Sequence, residues 1–170
     1  MKSKGFTLVE VMVVIAIIAI IVSIATLNFK DMKGKADTEK QTLQLQSDIS
    51  TVRLNAMQNK QRSIIWFGPR QHIYRTYSSA GEPDADGTDV NSVSYSFEIR
   101  KLAGSGTLDA LDVNDDRIEF DNRGYASDTD TPITLVVTPV TYSGGLDCIE
   151  VQTARTSIGR MENVSTCRKQ

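Results

Sequence analysis

Residues 4–29 read KGFTLVEVMVVIAIIAIIVSIATLNF, and they set the architecture of the whole chain. Between Phe6 and Leu27 the only charge is Glu10. At 1.5 Å per residue a helix over that run is about 33 Å long, enough to cross the hydrocarbon core of a bilayer. Lys2 and Lys4 precede the run and orient such a segment with its N-terminus on the cytoplasmic side. An ordinary secretory signal would end its apolar region at a small-x-small cleavage site, whereas here the apolar run continues into the body of the protein. A carboxylate inside a membrane span costs about 2.5–3.5 kcal/mol on insertion scales, so Glu10 is expected to have a partner and a task. The plain alternative is an anchor with one polar residue near its interface.

The neighbours of Glu10 narrow the choice. Lys4-Gly5-Phe6-Thr7-Leu8-Val9-Glu10, after a short basic leader and before an unbroken apolar run, resembles the class III signal of type IV pilins and pseudopilins. The resemblance implies cleavage after Gly5 by a prepilin peptidase, N-methylation of the new terminus at Phe6, and a role for Glu10 in assembly with other pilins or pseudopilins. It also implies an inner-membrane assembly platform as partner. The protein would sit in the bacterial inner membrane, with its C-terminal domain in the periplasm, before it joins a filament. Many major pilins carry Gly or Pro within this segment. Here the first breaker is Gly34, which predicts a straight helix with a bend at Gly34 if anywhere, and disfavours a bulk pilus subunit.

Downstream, Leu45, Ile49, Val52 and Ala56 recur at helical spacing and form one stripe read as core, while Asp48, Arg53, Asn55 and Gln58 fall on the solvated side. The expected organisation is a leader at 1–5, a transmembrane and filament-core helix at 6–29, its amphipathic continuation at 30–61, and a periplasmic β-rich domain at 62–170. Strands are predicted at Ser63–Phe67, Gln71–Tyr77, Val93–Lys101, Arg117–Asp121, Ile133–Thr138, Asp147–Gln152 and Thr156–Met161. Gly68-Pro69 and Ser143-Gly144-Gly145 read as hairpin turns, and Gly81–Asn91 and Ala103–Asp116 as longer loops. The fold class is therefore α+β, a long helix packed against a small antiparallel sandwich, as in the pilin-like fold. Ala56, Arg62-Ser63-Ile64-Ile65, Ile118-Glu119-Phe120 with Gly124, and Ser157-Ile158-Gly159-Arg160 follow one another in an order similar to the GspH/FimT group of minor pseudopilins and minor pilins.

A net charge of −2, more negative still once Lys2 and Lys4 leave with a leader, argues against a globally basic nucleic-acid binder. Cys148 and Cys167 are the only cysteines, and in an oxidising compartment they are expected to close one loop. The alternative is a buried Cys148 and a free Cys167. His72 stands alone in a strand and is read as a surface or edge residue. No nucleophile has an activating neighbourhood, so the chain reads as a non-enzyme without a resident cofactor.

Two charge blocks raise ligand hypotheses. Residues 81–130 carry thirteen acidic against four basic side chains, with Asp84, Asp86 and Asp89 in one loop and Asp112, Asp115 and Asp116 in the next. Such oxygen-rich loops suit calcium, although neither has EF-hand order and solvated loops are the commoner outcome. Residues 60–77 carry Arg62, Arg70 and Arg75 among Trp66, Phe67, Tyr74 and Tyr77, and the C-terminal region adds Arg155, Arg160, Arg168 and Lys169. Basic residues among aromatics can track a nucleic-acid strand, and some FimT-like proteins resemble DNA receptors for uptake. A DNA-binding minor pilin is thus the alternative to a purely structural subunit.

The processing site is directly testable. Mature protein should begin at an N-methylated Phe6, and Gly5→Leu should leave the leader attached. Mass spectrometry that finds Met1 or Lys2 still present on the wild-type membrane protein would end the pilin reading.

Overall fold

The structure, a computed structural model, describes residues 5–79, 81–127, 132–140, 145–163 and 165–169, with the backbone alone at 24–28. The leader residues 1–4, Ser143-Gly144 of the second expected turn, and Val164 lie outside the described residues. Helix α1 (Leu8–Asn59) is followed by ten strands: β1 (Arg62–Gly68), β2 (Gln71–Tyr77), β3 (Thr88–Ser94), β4 (Glu98–Leu102), β5 (Leu108–Ala110), β6 (Arg117–Phe120), β7 (Ile133–Thr138), β8 (Cys148–Val151), β9 (Thr156–Asn163) and β10 (Thr166–Lys169). All pairings are antiparallel, in a four-stranded sheet β3-β2-β1-β6 and a six-stranded sheet β10-β9-β8-β7-β4-β5. The fold is α+β.

The chain divides into two compact units after Ala36. In the first, the apolar side chains of α1 lie open on every side: Ile15, Ile17, Ile18 and Ile20 are all more than half exposed. Among the described residues no helix is long and apolar enough to cross a membrane. The apolar run whose side chains are described ends at Ser23, short of the roughly 20 residues a span takes.

In the second unit the helix has one buried face. Leu45, Ile49, Val52 and Ala56 are 0–3% exposed and share a core with Ile65, Phe67 and Tyr74 of the first sheet and Leu135, Val137 and Ile149 of the second. The helix stops at Asn59. Lys60 takes a left-handed conformation (φ 52°), and Gln61 N–H bonds the Ala56 carbonyl across it.

Polar contacts fix the helix to the connection between β3 and β4. The Gln41 amide accepts from Phe97 N–H and donates to the Phe97 carbonyl, both at 2.8 Å, as a neighbouring strand would. Tyr95 O–H donates to Asp48 Oδ2 at 2.8 Å, so its oxygen is left to accept from His72 Nδ1 at 2.7 Å. The expected strand Val93–Lys101 is broken into β3 and β4, because the Phe97 backbone is taken by the Gln41 side chain, while Tyr95 keeps a backbone bond to the Arg70 carbonyl and sends its hydroxyl to the helix. The same contacts correct two readings of single residues. His72 is buried, not at the surface, and Asp48 is half-buried in this network.

On the far face of the six-stranded sheet, Val136, Cys148 and Met161 form a smaller core beside the Cys148–Cys167 disulfide, whose Cα atoms are 6.1 Å apart. The bond ties the short polar edge strand β10 across β9 to β8. Gly159 of β9 makes the approach possible, since a Cβ there would sit 2.4 Å from the Arg168 carbonyl oxygen.

Two measurements follow. Replacing both cysteines by serine should lower stability by about 3 kcal/mol in urea denaturation, and labelling of both native cysteines without reductant would refute the bond. Burial holds the His72 pKa below its ordinary 6.5, with Asp48 opposing only in part. The folded chain therefore binds fewer protons than the unfolded one. Stability should be full above pH 6.5 and decline as pH falls through that value, a decline that His72→Gln flattens in thermal melts read at several pH values. An equal pH dependence in wild type and His72→Gln would show that His72 does not carry it.

Candidate functional site

The N-terminal motif starts the helix. Thr7 precedes α1 and its Oγ1 accepts the Glu10 N–H at 3.3 Å, while its carbonyl accepts from Val11 N–H. Thr7-Leu8-Val9-Glu10 thus has the order of a capping box, with a hydroxyl at the cap and a carboxylate three residues on. A negative charge in the first turn also complements the partial positive charge of a helix N-terminus. Gly5 has open space where a Cβ would stand, and Phe6 is 83% exposed. The bond proposed for cleavage, the proposed new terminus and the carboxylate therefore all lie open at one helix end.

The basic block at 60–77 is distributed over two faces of the four-stranded sheet. Ile65 and Phe67 of β1 stand opposite Tyr74 and His72 of β2 and point into the core. The other face carries Arg62, Ile64, Trp66, Arg75 and Tyr77, with Arg117 and Glu119 of β6 alongside. Arg62 donates to both oxygens of Glu119 at 2.9 and 3.0 Å and to Asp84 at 2.7 Å, and it stacks on Tyr77 at 4.6 Å. Glu119 and Asp84 together hold its pKa above the ordinary value. Arg117 pairs with the second oxygen of Asp84 and covers Trp66 at 4.9 Å. Burial pushes the Asp84 carboxyl up, but Arg62 and Arg117 outweigh it and hold it below the usual carboxylate range. Arg75 pairs with Asp89, across from it on β3.

The remaining candidate residues are apart from that face. Arg70 is exposed in the β1–β2 turn. Arg160 and Arg168 face each other across β9 and β10 in the other sheet, with Arg168 paired to Glu162 and Lys169 to Glu150. Arg155 bonds Gln152 at 2.8 Å. Phe67, Tyr74 and Tyr77 are buried and offer no ring face to a base.

The acidic loops are equally committed. Asp86 closes a short 3-10 turn at Asp84–Asp86. Asp116 accepts from Lys101 at 3.4 Å and from Asp112 N–H at 2.8 Å, while Asp112 accepts from Asn114 N–H at 2.9 Å. Asp115 is exposed. Among the described residues no group of three or more acidic, His or Cys side chains is placed to hold a metal ion. Parts of the two loops expected to be irregular are strands, since Thr88–Ser94 pairs with β2 and Leu108–Ala110 with β4.

Comparison with known proteins bears on the N-terminus. Residues 1–26 match the family model described as the prokaryotic N-terminal methylation motif. No curated protein matches the chain in sequence. The crystal structure of the type IV minor pilin FimU from Pseudomonas aeruginosa (strain PAO1) superposes with a TM-score of 0.48 at 10% identity, over 82% of this chain and 96% of that one. The chain thus carries an N-terminal methylation motif at the head of a 52-residue helix that runs into an antiparallel β-domain.

Proposed function

We propose that this chain is a minor pilin or pseudopilin, a structural subunit of a type IV pilus or of a type II secretion pseudopilus. The observation that carries the reading is the Gly5–Glu10 motif at the head of a helix whose first unit presents apolar side chains on every side. Such a surface needs an apolar surrounding. Lipid of the inner membrane supplies it first, and neighbouring helices supply it once the assembly platform has lifted the subunit into a filament. The work is positional, so the chain acts without catalysis. Prepilin peptidase cuts after Gly5 and leaves a positively charged amine at Phe6, four residues from Glu10. Both charges are expensive alone in a low-dielectric setting and less so together. A pair within one subunit gives no reason to assemble. A pair between the Glu10 of one subunit and the amine of the next fixes the axial register of two otherwise apolar helices.

The DNA-binding alternative draws less support, because Arg62, Arg75, Arg168 and Lys169 each carry a carboxylate partner that a phosphate would have to displace.

Glu10→Ala should leave membrane insertion and leader cleavage intact and lower the ratio of filament-associated to membrane-associated protein, with Glu10→Asp intermediate. Thr7 still accepts the N–H of residue 10 in both variants, and Glu10→Asp also keeps the first-turn charge, so a loss seen with Ala and spared with Asp is read with helix content checked by circular dichroism. Equal incorporation of Glu10→Ala and wild type into sheared filaments would remove the inter-subunit role.

A further inference from the structure

Arg53 of α1 is half-buried and unbalanced. Its guanidinium lies over the Phe120 ring at 5.0 Å, and Nη2 donates to the Gln152 carbonyl at 3.1 Å. Nε is buried without a hydrogen-bond partner, and among the described residues no carboxylate pairs with the group. Burial pushes its pKa down. By contrast Arg62, Arg75 and Arg117, on the outer face of the four-stranded sheet, all have acidic partners. Nε itself is out of reach from outside, but a half-buried cation without a counter-charge is costly in an isolated domain, and the exposed edge of its guanidinium is open to an incoming carboxylate.

The surroundings say what kind of group completes it. Leu54 is 53% exposed, Met57 47% and Tyr125 47%. Gly124, at φ 79°, brings the 121–125 turn so close to the helix that a Cβ on it would stand 2.6 Å from Met57 Cγ and 3.2 Å from Arg53 Cγ. Tyr125 follows in the same turn and is itself about half exposed. On the other side Arg155 donates to Gln152 Oε1, so two guanidiniums are held on one residue at the edge of an open cleft of about 500 Å³. Leu alongside Met, Tyr and Arg, with no lysine among them, makes a surface dominated by residue types enriched in protein interfaces. A small free anion would have no use for the apolar part.

We propose that Arg53, Leu54, Met57, Tyr125 and Arg155 form a docking surface for an acidic segment of a neighbouring protein subunit. One of its carboxylates bonds the Arg53 guanidinium while its apolar residues cover Leu54 and Met57. The identity of the neighbour as a filament subunit rests on the function proposed above; the chemistry of the surface does not.

The test uses the full-length chain in the producing cell, with a photo-cross-linking phenylalanine analogue in place of Leu54. Ultraviolet light should join it to a subunit peptide that carries Asp or Glu close to the cross-linked residue. Arg53→Gln should lower the yield about tenfold, the loss expected for one charge-assisted hydrogen bond. Asp128→Asn with Asp130→Asn, which removes the two acids just ahead of Pro132 in sequence, should leave the yield and the melting temperature unchanged. Cross-links only to lipid or nucleic acid, a joined peptide without a carboxylate, or a yield indifferent to Arg53→Gln would each overturn the proposal. So would a melting temperature that falls in the Asp128→Asn/Asp130→Asn variant, since the counter-charge would then come from within the chain. Glu10→Ala separates the two readings. A cross-link to an acidic subunit peptide that survives when wild type is absent from filaments keeps the docking surface and removes the filament.

Discussion

The β-domain is organised around the burial of one helical stripe. Leu45, Ile49, Val52 and Ala56 are closed off from water by side chains from both sheets, and removing that stripe would leave each sheet with an uncovered apolar face. Burial of this kind contributes roughly 1.5–3 kcal/mol for each large aliphatic side chain, more than any exposed ion pair in the domain. It is non-directional, however, and would tolerate the helix sliding or turning. The directional groups sit at the edge of the stripe. Gln41 pairs with the Phe97 backbone, and Asp48 reaches through Tyr95 to His72, so the helix is held at one register against the β-domain.

That division between apolar stripe and polar anchors explains which parts of the fold were legible in the sequence. The helix was readable to within two residues at each end, because an apolar run followed by a 4-3-4 stripe has one interpretation. Strands β2 and β7 were readable to the residue, since their apolar and β-branched content contrasts with the turns beside them. Strand β3, Thr-Asp-Val-Asn-Ser-Val-Ser, was not: it is an edge strand, exposed along nearly its whole length, and carries no alternation to see. Strand β10 is polar as well and is held by a covalent bond. The break between β3 and β4 was invisible because the Phe97 backbone is taken by a long-range partner, Gln41, that no local pattern announces.

The candidate sites were legible to different depths for a related reason. Gly5, Phe6, Thr7 and Glu10 are adjacent in sequence, so their chemistry can be read without a fold, and the capping geometry of Thr7 adds a helix-starting task to the same residues. The charge blocks are the opposite case. An acidic segment and a basic segment look like two binding sites as long as the chain is linear. Antiparallel pairing then sets Arg75 beside Asp89, and the β1–β6 ladder brings Arg62 to Glu119.

The consequence is that the charge on the outer face of the four-stranded sheet is largely engaged within that face. Asp84 alone satisfies two arginines, and each of those arginines covers an aromatic ring, so a cation or a phosphate arriving at this face must compete with pairs already made. Competition of that sort is weak for any single exposed pair and considerable for a network in which each member is held by two others. Interaction capacity is therefore to be sought where the internal accounting fails to close, not where charge is densest in the sequence. By that criterion the acidic loops and the basic hairpin recede. Two places stand out instead, the open N-terminus of the helix at Phe6–Glu10 and the guanidinium of Arg53, which no carboxylate among the described residues pairs with.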